Sequence, residues 1–99
     1  MRYLLLLALA ALLNGSCLAD ASLAMQRGCV GCHKADVKVV GPAYKDIAER
    51  YRGDAGAVDK LMARLATGGS GVWGTIPMPP SAANPEETRI LVEWILSAH

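Results

Sequence analysis

A chain of 99 residues holds one small domain at most. Ten Lys and Arg stand against nine Asp and Glu, with no basic tract interleaved with aromatics, which argues against a nucleic-acid partner. With 53% hydrophobic residues and 10 glycines, the composition suits a compact globular unit more than a charged, disordered chain.

Arg2 is followed by the uncharged run YLLLLALAALL (3–13) and then by the small and polar NGSCLADA (14–21). A charged start, a short apolar stretch and a small-residue exit form the pattern of a secretory signal peptide. The run is too short for a bilayer, which needs about 20 apolar residues, so no stable membrane insertion is expected. Cleavage after Ala19 gives a signal peptide at 1–19 and a domain at 20–99; Ala21 is the alternative site. Lipidation at Cys17 is a competing reading that Asn14, three positions earlier, fits poorly. The expected destination is the periplasm of a Gram-negative bacterium. Removal of 1–19 takes Arg2 and no acid, leaving positive and negative charge in balance. A remainder of about 80 residues has a core of only a few kcal/mol, so a staple is expected.

In chain order, DASLAMQRG (20–28) reads as a short helix with Leu23 and Met25 as its apolar positions and Gly28 as its stop. CVGCH follows at once. KADVKVVGP (34–42) lacks helical period and ends on Gly-Pro, so it reads as loop. In 42–53, Pro42 stands at a helix start and Gly53 at its stop, with Tyr44, Ile47, Ala48 and Tyr51 on one face. Val58, Leu61, Met62 and Leu65 mark an amphipathic helix in 54–69, ended by Gly68 and Gly69. After a Gly/Pro-rich loop, Asn84 as N-cap, Pro85 at N1 and Glu87 at N3 open a last helix buried through Leu91, Trp94 and Ile95. No window reads as a strand.

The chemistry lies in Cys29, Cys32 and His33. In an exported protein, C-x-x-C-H is the arrangement in which two thiols add to the vinyl groups of haem while the adjacent imidazole is delivered to the iron. A redox disulfide would expect a preceding strand and a βαβ setting. A zinc site would need a second ligand pair, and the only other histidine is His99. Iron bound by His33 on one side leaves an open face or takes a second ligand, and a methionine thioether is the soft choice in electron-carrying proteins. Met25 and Met62 fall on helical stripes where packing accounts for them. Met78 instead lies in GVWGTIPMPP, where Pro77, Pro79 and Pro80 restrict the backbone and pre-position the sulfur. Packing on the porphyrin alone is the alternative role for Met78.

With GCVGCH, VGPAYKDIA, GVWG, IPMPP and the terminal WILS in order and spacing, the chain from 20 to 99 resembles the small bacterial class I cytochromes c of the cytochrome c-551 type. The resemblance implies an all-α fold, about four short helices wrapped around one covalently attached haem c, with first and last helices crossing. It implies that Pro42 accepts a hydrogen bond from His33, that Arg64 and Trp73 meet the haem propionates, and that the iron has His33 and Met78 as axial ligands. Ser81 stands where this group often has Asn, a stronger donor toward the ligand sulfur. The function implied is that of a monomeric one-electron carrier in respiration, not an enzyme, docking transiently at its haem edge with redox proteins. The family suggests a complex such as cytochrome bc1 as donor and nitrite reductase, a terminal oxidase or a peroxidase as acceptor. The rival readings are a haem-based ligand sensor or small haem enzyme with a displaceable sixth ligand and, further off, a thiol-disulfide or metal-binding module.

Overall fold

The structure is a computed structural model that describes residues 20–99; the signal-peptide and Cys17 readings fall on positions outside the described residues. The residues 20–26 are helical (α1), Cys29–Gly31 form one turn of 3₁₀ helix, and three helices follow: α2 (Tyr44–Arg50), α3 (Ala57–Thr67) and α4 (Pro85–Leu96). Among the described residues no strand forms, and extended pairing is limited to isolated bridges at His33 with Lys38 and Gly69 with Met78.

Helix α4 is the common support: it packs on both α2 and α3. Its Leu91 and Val92 are completely buried, in one cluster with Ala24, Tyr44, Ile47, Leu61, Leu65 and Ile95. The expected stripe on α4 is present through Leu91 and Ile95, with Val92 added and Trp94 only half-buried. Its start carries the capping box read from sequence: Asn84 Oδ1 accepts from the Glu87 N–H at 2.8 Å, and Glu87 Oε1 accepts from the Asn84 N–H at 3.1 Å.

Two local readings are corrected. On α1 the inward residue is Ala24, while Met25 is 67% exposed; neighbouring helical positions point about 100° apart, so a stripe centred on Ala24 and Leu23 turns Met25 outward. Helix α2 starts at Tyr44 with Ala43 as its N-cap, not at Pro42. The Asp46 and Ile47 N–H groups both donate to Ala43 O, while Pro42 O accepts from the His33 ring at 2.8 Å, the bond that the resemblance implies. Gly53, with φ +80°, turns the chain after α2.

The ends of α1 and α4 are clasped by a two-pronged ion pair. Arg27 Nε donates to Glu87 Oε1 at 3.1 Å and its Nη2 donates to Oε2 at 2.7 Å. Hydrogen bonds from Arg27, and then from the Asn84 N–H, hold the Glu87 carboxyl below the usual carboxylate range. A carboxyl lowered in the folded state adds stability above its unfolded pKa, and that contribution disappears as pH falls through the lowered value. Glu87→Gln, which keeps the cap, is therefore expected to lower the melting temperature at pH 7. The gap to wild type should close as the pH drops below about 4; melting curves in which it stays constant from pH 7 to pH 2 would assign Glu87 no electrostatic part in the clasp.

Candidate functional site

Gly28, with φ +79°, breaks away from α1 and starts the 3₁₀ turn that carries Cys29. The Cys32 and His33 N–H groups both donate to Cys29 O, at 3.2 and 3.0 Å. That curl sets two half-buried free thiols and an imidazole on one short piece of backbone. Burial pushes the Cys29 thiol up.

His33 is held by three neighbours. Its Nδ1–H donates to Pro42 O at 2.8 Å, so in the neutral ring Nε2 is the nitrogen with the free lone pair. Its ring stacks on Tyr44, centroids 5.7 Å apart. Gly41 lies so close that a Cβ there would come within 2.8 Å of Nδ1 and 3.0 Å of Nε2.

The three residues open onto a cavity of ≈ 340 Å³, in the size range of small-molecule and cofactor sites. Tyr44 and Ile47 of α2, Leu61 and Leu65 of α3, and Val92 and Ile95 of α4 give it an apolar wall. The loop after α3 supplies Val72, Trp73, Ile76 and Met78. All seven residues singled out from sequence, Cys29, Cys32, His33, Pro42, Arg64, Trp73 and Met78, line this one cavity.

Met78 is fixed by main chain. Its N–H donates to Gly69 O and the Gly69 N–H donates to Met78 O, both at 2.9 Å. The Ser81 N–H then donates to Leu65 O at 2.7 Å, which ties the loop to the end of α3. Ser81 Oγ accepts from the Ala83 N–H. Met25 and Met62 do not line the cavity. Arg64 is half-buried with its guanidinium against Gly69 and 3.5 Å from Gly68 O. Trp73 is no core aromatic: it is 40% exposed at the cavity's edge, with Arg50 over its ring.

Tyr44 is the residue whose part sequence reasoning missed, since it read only as a core position. Packed between His33 and Trp94, it presents a buried hydroxyl with no partner among the described residues. Burial, and secondarily the nearby Cys29, push its pKa up to about 12, so it stays a neutral donor.

The family model for cytochrome c matches residues 19–99. The chain belongs to the cytochrome c family. It is similar to cytochrome c-551 of Allochromatium vinosum, 52% identical over 82% of this chain and 87% of that protein. Cytochrome c-551 of Pseudomonas aeruginosa is 52% identical over 72% of this chain and 68% of that protein, and cytochrome c-552 of Hydrogenobacter thermophilus is 48% identical over 86% and 87%. In structure it is similar to Nitrosomonas europaea cytochrome c552, with a TM-score of 0.76 at 42% identity over 80% of this chain and 99% of that one. The small all-helical cytochrome c fold read from sequence is thus the observed one. Membership implies covalently bound haem c and an electron carrier, not an enzyme.

In this cytochrome c the Met78 loop depends on Gly68, whose φ of +68° and ψ of −164° lie in a region essentially reserved for glycine. A Cβ there would also strike Met78 O and come within 2.9 Å of Pro79 C and Pro80 N. Gly68→Ala should cost about 1–3 kcal/mol of unfolding free energy and shift amide resonances chiefly across 77–81. A denaturant midpoint equal to wild type, with those resonances unmoved, would show that the loop does not rely on Gly68.

Proposed function

We propose that this cytochrome c is a soluble, monomeric, monohaem carrier of the periplasm that passes single electrons between respiratory proteins, made by cleavage of a signal peptide at 1–19. In this reading Cys29 and Cys32 form the thioether links, His33 and Met78 are the axial ligands, and Arg64 and Trp73 face the propionates. The observation that carries it is the convergence of these residues on one apolar cavity, with the His33 ring already held by Pro42 at 2.8 Å.

The residues fit a covalently held haem on their own chemistry. Two free thiols on a tight turn, an imidazole of set tautomer, a soft thioether and a buried hydroxyl without a partner share the wall of one cavity. The bound group supplies the Fe(II)/Fe(III) couple. Pro42 O, by accepting from Nδ1–H, orients the imidazole and raises the basicity of Nε2. Met78, alone among Met25, Met62 and Met78 in lining the cavity, brings a sulfur that favours the reduced state. With His33 and Met78 both holding the iron, no position would be left for oxygen or peroxide, and the apolar wall would limit water. The cation of Arg64 and the indole N–H of Trp73 suit carboxylates.

Met78→Ala tests the reading. The variant should keep its covalent haem, lose the thioether-to-iron band at the red end of the visible spectrum, bind carbon monoxide and show a lower reduction potential. An unchanged spectrum that refuses carbon monoxide would remove Met78 as a ligand. Wild-type protein that binds carbon monoxide readily would favour the sensor or small-enzyme reading.

The docking face we assign is the one flanking the haem attachments, where Val30, Gly31, Ile76, Pro77 and Pro79 carry no charge; all but the half-buried Val30 are exposed. Lys34 and Lys38 are exposed nearby and Lys45 is half-buried. A transient electron-transfer contact buries under about 1,200 Å² in total, so one misplaced charge matters, whereas rim lysines act on encounter rate. Val30→Glu should slow electron transfer to an oxidase or nitrite reductase about tenfold or more, with spectrum and fold unchanged. Lys34→Gln should mainly flatten the salt dependence. Unaltered kinetics for Val30→Glu at low and high salt would put the docking face elsewhere. No helix among the described residues is long and apolar enough to cross a membrane.

A further inference from the structure

Trp73 lies in the loop whose base is the Gly69–Met78 pair, within a turn closed by the Gly71 N–H donating to Gly74 O at 2.7 Å. No backbone hydrogen bond joins that turn to α2. What joins them is a side-chain contact: the Cζ of Arg50, last residue of α2, sits 5.1 Å from the centroid of the Trp73 ring. That is within the range in which the ring quadrupole attracts a cation. Among the described residues Arg50 makes no ion pair or side-chain hydrogen bond, so its charge is not committed elsewhere. A cation in the last turn of a helix is also favoured by the carbonyl dipoles there. Tyr44, Ile47 and Tyr51 line the cavity from the α2 side, and Val72, Trp73 and Ile76 line it from the loop.

We propose that Arg50 is a positioning residue, a cation–π latch that holds the tip of the 69–78 loop to the end of α2 and so sets the direction of the Trp73 indole N–H. A planar guanidinium covers the ring face while its N–H groups remain in contact with water, which lets the stack form at an exposed site. Covering one face restricts the rotation of the indole, leaving less ordering to be done when its N–H meets an acceptor. That the acceptor is a propionate rests on the haem reading above; the latch does not.

The test follows hydrogen exchange of the two indole N–H groups by NMR in the reduced protein as purified, with Trp94, packed edge-on against Tyr44, as internal reference. Arg50→Gln keeps a good helix former but removes the charge. It should speed exchange at Trp73 about two- to fivefold, the factor that an exposed cation–π contact is worth, and leave Trp94 unchanged. Arg50→Lys, a cation with a poorer stack, should fall between Gln and wild type. Exchange at Trp73 equal to wild type in Arg50→Gln, or equal acceleration at both indoles, would overturn the latch. Both signals are read whether or not haem is bound, so failure of the latch is told apart from failure of the haem reading.

Discussion

The burial of one face of α4 is the constraint on which the rest of the molecule depends. Leu91 and Val92 are shut off from water completely, and α2 and α3 are positioned by packing against that helix. Val92 and Ile95 serve twice, as core and as cavity wall, so the geometry of the site is inherited from the geometry of the core. A small chain has few apolar residues to spend on a separate binding site. The Arg27–Glu87 clasp extends the same logic to α1: the carboxylate that caps α4 also fixes the segment that delivers Cys29.

The Met78 side of the cavity is built on another principle. Residues 71–77 are exposed, and their loop has no helix of its own, yet Met78 is held by two reciprocal main-chain bonds and by the Ser81 anchor to α3. Prolines on both sides of Met78 lower the entropy lost in ordering the loop, and Gly68 supplies a backbone conformation closed to other residues. A sulfur held by backbone in this way moves little, which suits the proposed role of Met78 as an iron ligand in both oxidation states. The imidazole side is equally constrained, by Pro42 O, the Tyr44 ring and the close approach of Gly41. If His33 and Met78 ligate the iron as proposed, their rigidity would keep rearrangement small during electron transfer, and neither depends on a surface ion pair that salt would screen.

Whatever rests on short-range chemistry follows from the residues alone. The spacing of Cys29, Cys32 and His33 is covalent geometry. The cap formed by Asn84 and Glu87 spans three residues, and the Gly and Pro positions act on their own backbone, so the last helix, the breaks at Gly28 and Gly68 and the stiff Met78 loop were all legible. Helical period placed Ile47, Leu61, Leu65, Leu91 and Ile95 in the core. Tertiary structure decided what depends on partners far apart in the chain. Met25 and Met62 look alike as apolar residues on helices, yet packing buries half of one and leaves the other exposed. Pro42 has the marks of a first helical residue, yet the helix begins two positions later, at Tyr44. The approach of Tyr44 to His33, and of Arg50 to Trp73 across 23 positions, has no local signature. Such contacts arise only when helices have docked, because a side chain's neighbours across the core are set by helix packing and not by the residues beside it.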